Sequence, residues 1–236
     1  MKLTRRQIQH LYWRAGFGPE PCNLNDAEGK TAEELVNHLF KTSEKYDEIR
    51  MDLSKFDVDR KSLSDEEKKE LIKLANQSVF ELDLIWMKQL VDTKPVLREK
   101  MTFFFHDHFA MRSKNPKENI DLNNLLRKHA LGNFGELLME VSKSPAMIEY
   151  LNNKQNKKDS PNENFAREVM ELFTLGRDNG YTETDIKEAA RAFTGWTVFQ
   201  GEFIFRPRIH DAESKTILGE TGNFTGEDVI KILLNQ

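Results

Sequence analysis

Signals that begin α-helices recur along the whole chain and limit it to a mainly helical fold. Three capping-box patterns pair a Ser or Thr with a Glu or Gln three residues later: Thr4-x-x-Gln7, Thr31-x-x-Glu34 and Ser64-x-x-Glu67. Two looser versions carry Asp in that place, Thr182-x-x-Asp185 and Thr225-x-x-Asp228. Each pattern precedes apolar residues at helical spacing. The sequence predicts helices over 4–15, 31–41, 64–92, 95–112, 118–131, 133–143, 145–151, 162–175, 182–194 and 226–236.

Glycines mark the ends of several of these predicted helices. They are Gly16, Gly132, Gly176 and Gly195. One region alone has the pattern of β-strands: "TVFQGEFIF", residues 197–205, predicts two short strands around a tight turn at Gln200-Gly201. The predicted fold is therefore mainly α, a multi-helix globular array with one small β-hairpin near 197–205.

The length of the chain suits one substantial core, since it has 236 residues and 38% of them are hydrophobic. We interpret residues 1–236 as a single helical domain with possible flexible loops over 43–63 and 152–161. The second of these is polar and lysine-rich, and ends in a proline. The final helix is still apolar at the last residues. This predicts either that it packs on this chain or, as we favour, that the natural protein is truncated here at its C-terminus.

Composition excludes several classes of protein. Charged residues make up 31% of the chain and the net charge is −4, whereas a nucleic-acid surface normally leaves a basic excess, so no nucleic-acid binding is expected. No apolar window is long enough for a transmembrane segment. The first residues of the sequence have no signal-peptide pattern. The sequence as given therefore predicts a cytoplasmic protein. The one cysteine, Cys22, excludes an intrachain disulfide and is expected to be an inert thiol in a loop.

The segment "REKMTFFFHDHFAMRS", residues 98–113, contains the pair His106-x-His108. On one helix, at ~100° per residue, the two rings lie ~200° apart, so they cannot both bind one ion unless the helix breaks there. Two interpretations stay open. Each histidine is a core or near-core residue hydrogen-bonded to a neighbour, or one of the two points into a polar pocket, where it acts as a base or metal ligand. Asp107, between them, is expected to be a surface acid.

The segment "ENFAREVMELFTLG", residues 163–176, combines an apolar helical face with a polar stripe. The stripe consists of Asn164, Arg167, Glu168 and Glu171. Glu163, Arg167 and Glu171 fall at i, i+4 and i+8, a spacing that permits ion pairs worth only ~0.2–0.5 kcal/mol each when exposed. Glu168 and Glu171 share a face, as carboxylates do in metal-binding helical bundles. The stripe is therefore either a salt-bridged surface or part of an internal site.

Arginine is concentrated in the same part of the chain. Residues 159–211 contain five arginines and one lysine, whereas the remainder contains eight arginines and twenty-one lysines. Arginine suits bidentate pairing with carboxylates, and lysine is the common solvated cation. We therefore predict an ordered Arg–carboxylate network that includes Arg167 and Arg191, and leave open whether it is structural or catalytic. His210-Asp211, in a loop after the predicted hairpin, is a further candidate functional pair.

Five blocks of the sequence resemble the DUF1800 family of bacterial proteins, in the family's order. They are "HLYWRAGFGP" (10–19), "REKMTFFFHDHFA" (98–110), "NENFAREVMELFTLG" (162–176), "GYTETDIKEAARAFTGWTV" (180–198) and "HDAESKTILGETGNFTGEDVIKILL" (210–234). The second block departs slightly, because Phe105 stands where many relatives look to have Trp. The blocks contain the residues singled out above, and Arg14 joins them.

This resemblance implies a largely α-helical fold but no activity, because the family is one of unknown function. It implies that members extend beyond the end of this chain and that many are exported. It also implies that many lie in genomes beside a DUF1501 protein, which resembles sulfatases and alkaline phosphatases. No catalytic residue carries over from the family.

Two main functional hypotheses follow. The first is an enzyme with a central polar site for acid–base or divalent-metal-assisted chemistry. Its candidate catalytic residues are His108, Glu168, Glu171, His210 and Asp211, of which the first four are also the candidate metal ligands. Candidate binding or network residues are Arg14, His106, Asn164, Arg167 and Arg191. The second is a non-enzymatic exported or envelope-associated scaffold that binds a DUF1501-like protein; an intracellular helical binding module is a third.

Overall fold

The computed structural model describes residues 1–56, 58 and 62–236, except for the side chains of Pro21 and Cys22. It is mainly α-helical, which confirms the predicted fold class. The helices in the described ranges are α1 Arg5–Ala15, α2 Pro21–Ala27, α3 Ala32–Thr42, α4 Asp65–Asp92, α5 Val96–His108, α6 Pro116–His129, α7 Phe134–Lys143, α8 Pro145–Tyr150, α9 Asn164–Glu168, α10 Glu183–Phe193 and α11 Gly226–Leu234. The strands are β1 Trp196–Phe199, β2 Glu202–Phe205, β3 Lys215–Ile217 and β4 Glu220–Gly222.

Local capping fixes where the main helices begin. At four N-caps the hydroxyl accepts from the N3 backbone N–H, while the N3 side chain accepts from the N-cap N–H; these are Thr4, Thr31, Ser64 and Thr182. At Thr225, the backbone N–H donates to the Asp228 carboxylate at 3.0 Å. Each such bond satisfies a backbone donor that the first turn leaves without a helical partner.

The predicted hairpin is present, and a second one was missed. β1 pairs antiparallel with β2, and Gln200 and Gly201 both have positive φ, as a two-residue hairpin turn requires. The expectation that 197–205 is the one strand region is wrong, because β3 pairs with β4 around a Leu218–Gly219 turn that also has positive φ. Three residues per strand are too few for an alternating pattern to be visible in sequence.

Three further differences concern helix boundaries. Helix α2 was missed; Pro21 is its first residue, where a missing N–H costs nothing. Cys22 therefore lies on a helix, and its side chain is outside the described part. Helix α5 ends at His108, not 112. After α9 the chain continues as a π-helix over Val169–Thr174, which the 3.6-residue period did not predict.

The two predicted loops are largely irregular and each contains a 3₁₀ turn. Ser54–Phe56 forms one within 43–63, a stretch in which residues 57 and 59–61 lie outside the described part. Asn153–Gln155 forms the other within 152–161. There, buried Asn153 donates to the Trp196 carbonyl at 3.2 Å, and buried Asn156 donates to the Ala190 carbonyl at 2.8 Å. These amides tie the second loop to α10 and β1.

The chain divides into two compact units. Unit 1 comprises 1–106 and 114–131, and unit 2 comprises 107–113 and 132–236. A single domain over 1–236 stays a prediction. In unit 1, one core cluster is formed by residues of α1, α2 and α3. Another is formed by α4, α6 and Ile49. No helix in the described ranges has an apolar stretch long enough to cross a bilayer.

Unit 2 is centred on an aromatic cluster. Phe165, Phe193 and Trp196 pack edge to face, with ring centroids 4.9–6.3 Å apart. Gly226, the first residue of α11, lies against them so closely that an added Cβ would come within 2.5 Å of the Trp196 ring. The apolar residues of α11 are buried here: Val229, Ile230, Ile232 and Leu233. The final helix therefore packs on this chain, as one of the two alternatives predicted.

Candidate functional site

The ion pairs that the i, i+4 and i+8 spacing permits within 163–171 are present. They belong to a larger group, the Arg167 cluster, which consists of Arg167, Glu163, Glu171 and Glu183. Arg167 binds Glu183 of α10 with both terminal nitrogens, at 2.8 and 2.7 Å. Its contacts with Glu163 and Glu171 are longer, at 3.2 and 3.5 Å. Hydrogen bonds to Glu183 raise the pKa of Arg167 above its ordinary value. Since Glu183 is 68% exposed, water weakens this pairing.

The Glu168 side chain is partly buried, like those of Arg167 and Glu171, but unlike theirs it makes no hydrogen bond to another described residue. Burial raises the pKa of Glu168 above its ordinary value, and the charge of Glu171 raises it further. It is the last residue of α9, immediately before the π-helix. π-helical turns occur frequently at functional sites. The environment of Glu168 therefore favours its protonated form.

His108 belongs to an aromatic cluster in unit 2. Its Nε2 donates to the carbonyl oxygen of Phe173 at 3.2 Å, and because a carbonyl only accepts, Nε2 carries the proton. The ring packs against Phe109, Phe134 and Phe173, with centroids 4.6–6.3 Å away. His108 is therefore a partly buried, hydrogen-bonded histidine, and its bond to Phe173 holds the π-helix.

His106 is in unit 1 and His108 in unit 2, so the structure assigns the predicted histidine pair to different units. His106 is an exposed residue whose ring packs on Trp86, with centroids 4.8 Å apart. Asp107 is exposed, as expected. Arg14 is an exposed residue of α1 in unit 1, and Asn164 of unit 2 donates to the Leu151 carbonyl at 3.1 Å.

A second ion-pair group, the Arg191 cluster, consists of Arg191, Glu188, Asp211 and Glu213, with the charge of Lys215 close by. Arg191 grips Asp211 in bidentate geometry, Nε to Oδ2 at 2.6 Å and Nη2 to Oδ1 at 3.2 Å. Its Nη1 reaches both oxygens of Glu188 at 3.0 Å, and Glu188 accepts from the Thr216 backbone N–H at 3.1 Å. Helix α10 is thereby joined to the segment between β2 and β3. The predicted Arg–carboxylate network thus exists as two clusters.

Asp211 and His210 are both held by Thr194, at the end of α10. The Thr194 hydroxyl accepts from the Asp211 backbone N–H at 2.7 Å, and the Thr194 carbonyl accepts from His210 Nδ1 at 2.8 Å. The next residue is Gly195, with φ +88°, where a Cβ would lie 3.0 Å from the Arg206 carbonyl oxygen. Both members of the predicted functional pair therefore fix the loop after β2.

Lys215 was missed by sequence reasoning. It is 1% exposed, and its Nζ donates to the carbonyls of Asp211 and Glu213 at 2.6 and 2.8 Å. Burial lowers the pKa of Lys215, while the charge of Asp211 opposes that shift. Its one sequence signal is its place in the KTI strand, where a lysine normally points to solvent.

The most buried ion pair, also missed, lies in unit 1. Glu99 of α5 and Arg127 of α6 have no exposed side-chain surface and are 2.6 Å apart. The Glu99 carboxylate also accepts from Trp86 Nε1 at 3.3 Å and Gln89 Nε2 at 3.1 Å. The Arg127 Nη1 donates to Asn124 at 2.8 Å. A sequence signal existed, since Arg127 directly follows the apolar pair Leu125-Leu126.

The proposed metal ligands do not form a common site in the part of the chain that the structure describes. Within those residues, no group of three or more His, Cys, Asp or Glu side chains has an arrangement that could hold a metal ion. A closed metal site needs three or four converging ligands. His108 instead lies in its aromatic cluster, Glu168 and Glu171 lie near the junction of α9 and the π-helix, and His210 lies in the loop held by Thr194.

The fold and its polar residues define a class: a mainly helical protein of two compact units, with Arg–carboxylate pairs between helices and loops. A family model described as "Protein of unknown function (DUF1800)" matches residues 10–236. The chain belongs to this DUF1800 family, as its five sequence blocks predicted. No curated protein and no solved structure matches the chain.

Proposed function

We propose that this protein is a non-enzymatic scaffold, exported or envelope-associated, that acts by binding another protein. One observation carries the proposal: the predicted catalytic pair His210-Asp211 is engaged in bonds that hold its own loop. Both carboxylate oxygens of Asp211 accept hydrogen bonds from Arg191, and His210 donates to the Thr194 carbonyl. Groups held in this way supply rigidity to a surface. One groove within the described residues lies along α4 and is lined by Lys69, Ile72, Lys73, Asn76, Gln77 and Phe80, none of which is a predicted site residue.

The partner we propose is a DUF1501-like protein. Its support is the resemblance, which implies that many relatives lie in genomes beside such a protein. Rigid, pre-organised surfaces bind with a smaller entropic cost than mobile ones, which gives the ion-pair clusters a role in binding.

Co-purification from the native organism tests this function. We expect the tagged protein, extracted gently, to bring down the neighbouring DUF1501-like protein in near-equal amount. The Glu168→Gln variant should bind it equally well, within about twofold (about 0.4 kcal/mol), because Glu168 takes no part in the bonds that hold the His210-Asp211 loop. The proposal would be contradicted if the tagged protein were recovered without the DUF1501-like protein from both stationary and growing cells.

A second candidate function is acid–base chemistry at Glu168. The observation that favours it is the raised pKa of this partly buried carboxyl, caused by burial and by Glu171. A carboxyl whose pKa is raised keeps its proton to a higher pH than an ordinary one, which suits it to act as a general acid. The pH dependence of stability tests whether this environment is real.

We expect Glu168→Gln to be more stable than the unchanged protein at pH 7.5, and equally stable near pH 3.5. A folded-state pKa above the unfolded value contributes stability at low pH that is lost as pH rises through it, and the amide cannot lose a proton. Thermal unfolding measured between pH 3.5 and 7.5 checks this. The control is Glu220→Gln on exposed β4, which should change stability by at most ~0.5 kcal/mol throughout. A stability difference for Glu168→Gln that does not vary with pH would contradict the assignment.

A further inference from the structure

Helix α4 has apolar residues on two opposite faces. One face is buried in unit 1, where Leu82 and Trp86 pack with Ile49 and Ile120. The other carries four large apolar side chains that remain exposed, which we call the outer stripe. The outer stripe consists of Phe80, Leu84, Met87 and Val91, at 64%, 52%, 62% and 76% exposure. A helix of a globular protein normally has one apolar face and a polar one.

The outer stripe has the geometry of a helix-pairing seam. At ~100° per residue its four members fall within about 60° of one another, and they span about 16 Å of the helix. Their spacings of four, three and four residues are those of alternating core positions in a coiled coil. Contiguous exposed apolar surface of this kind marks protein–protein contact.

The spacing is also symmetric, which favours a second copy of the same helix running in the opposite direction. With a two-fold axis between Leu84 and Met87, Leu84 of one copy faces Met87 of the other, and Phe80 faces Val91. A self-complementary patch of this kind is what a two-fold symmetric dimer requires.

Charges beside the outer stripe fit the antiparallel arrangement. Glu81 and Lys88 are exposed on the same flank of the stripe, seven residues apart. In an antiparallel pair, equal flanks meet, so each Glu81 lies beside the Lys88 of the other copy. Neither makes an ion pair with another described residue of its own chain.

A parallel pairing is less favourable because of two lysines. Lys69 and Lys73 continue the line of the outer stripe toward the start of α4. In a parallel pair, Lys73 of one copy would face Lys73 of the other, although Asp83 could then reach Lys88. In the antiparallel pair the two Lys73 positions are about 38 Å apart, well beyond the screening length in physiological salt.

We propose that the outer stripe is a homodimerisation surface in which α4 pairs antiparallel with α4 of a second copy. This goes beyond the proposed function, which concerns a different protein. An assay of the purified chain alone contains no DUF1501-like protein, so the two proposals fail independently.

The test is sedimentation equilibrium of the full chain from about 1 to 200 µM, the range of a small, transient interface. We expect a reversible monomer–dimer equilibrium. Leu84→Glu should weaken it at least about 30-fold, since it places a charge at the centre of the apolar seam. Ile72→Glu is the matched control: Ile72 is an equally exposed apolar residue of α4, 58% exposed, that lies off the stripe. It should leave dimerisation unchanged within about twofold.

Charge reversal tests the direction of pairing. Glu81→Lys and Lys88→Glu should each weaken the dimer about threefold to tenfold, because each replaces two attractive pairs by two repulsive ones. The double reversal E81K/K88E should restore it, because the antiparallel pairs are re-formed with opposite sign. A parallel dimer would not be restored, since Asp83 would then face Glu at position 88.

Three results would overturn the proposal. They are a monomer at all concentrations to 200 µM, a dimer that Leu84→Glu does not weaken, and a double reversal that fails to restore the dimer. All of these substitutions are at exposed positions, where effects on folding are at most ~0.5 kcal/mol. Circular dichroism of each variant verifies that the monomer is folded.

Discussion

Arg127→Met is expected to lower the free energy of unfolding by about 3–5 kcal/mol, the largest effect of any single substitution considered. Arg127 and Glu99 have no exposed side-chain surface, so removing the guanidinium leaves a carboxylate buried without its counter-charge. The remaining donors to that carboxylate, Trp86 and Gln89, are neutral. Breaking a buried pair from one side costs this much because the isolated charge is poorly solvated.

The measurement is urea unfolding monitored by tryptophan fluorescence. Arg5→Met is the matched control, because Arg5 also pairs with a glutamate, Glu28 at 2.7 Å, but with both side chains more than half exposed. That change should cost less than about 1 kcal/mol. The double variant E99Q/R127M should regain part of the lost stability, since it leaves no buried charge. Equal costs for Arg127→Met and Arg5→Met would show that the Glu99 pair is not the buried structure described.

Asp211→Ala is expected to cost about 2–4 kcal/mol. It removes two charge-assisted hydrogen bonds from Arg191 and one from the Glu213 backbone N–H, at a side chain only 12% exposed. Burial alone would raise the pKa of Asp211, but hydrogen bonds from Arg191 and Glu213 outweigh it, so the pKa lies below its ordinary value. A depressed folded-state pKa contributes stability above the unfolded pKa, ~3.9, that is lost as pH falls through the folded value. The cost of Asp211→Ala should therefore shrink in acid.

Glu213→Ala is the control for Asp211. Glu213 also contacts Arg191, at 3.5 Å, but is 86% exposed. Its removal should cost less than about 0.5 kcal/mol. Chemical unfolding of both variants at pH 7 and pH 3 gives the comparison, and an Asp211→Ala cost no larger than that of Glu213→Ala would contradict the proposed role of the Arg191 cluster.

Elements set by short-range signals were predicted from the sequence. The capping boxes located the starts of α1, α3, α4 and α10, and Gln200-Gly201 located the first hairpin turn, because each depends on residues within four positions. The i, i+4 contacts of Arg167 with Glu163 and Glu171 were predicted for the same reason.

Features set by distant contacts were not predicted. Glu183, the strongest partner of Arg167, is sixteen residues away on another helix. Glu99 and Arg127 are 28 residues apart, and the apolar residues before Arg127 indicate its burial but not its partner. Strand β3 packs against α10 and pairs with β4, and the few residues of these two strands carry no visible period. Likewise, the compositional excess of arginine predicted the network but not which acids would join it.

The measurement that tests the central claim most directly is a double-mutant cycle on Arg191 and Asp211. The claim is that Asp211, predicted as a catalytic acid, instead stabilises the fold through its ion pair with Arg191. The two side chains should therefore be strongly coupled in the free energy of unfolding. Unfolding of Arg191→Met, Asp211→Ala and the double variant gives that coupling. We predict at least about 1.5 kcal/mol, within the range for groups in direct contact. A coupling below about 0.3 kcal/mol, with all three variants folded, would contradict the structural role and return Asp211 to the candidates for catalysis.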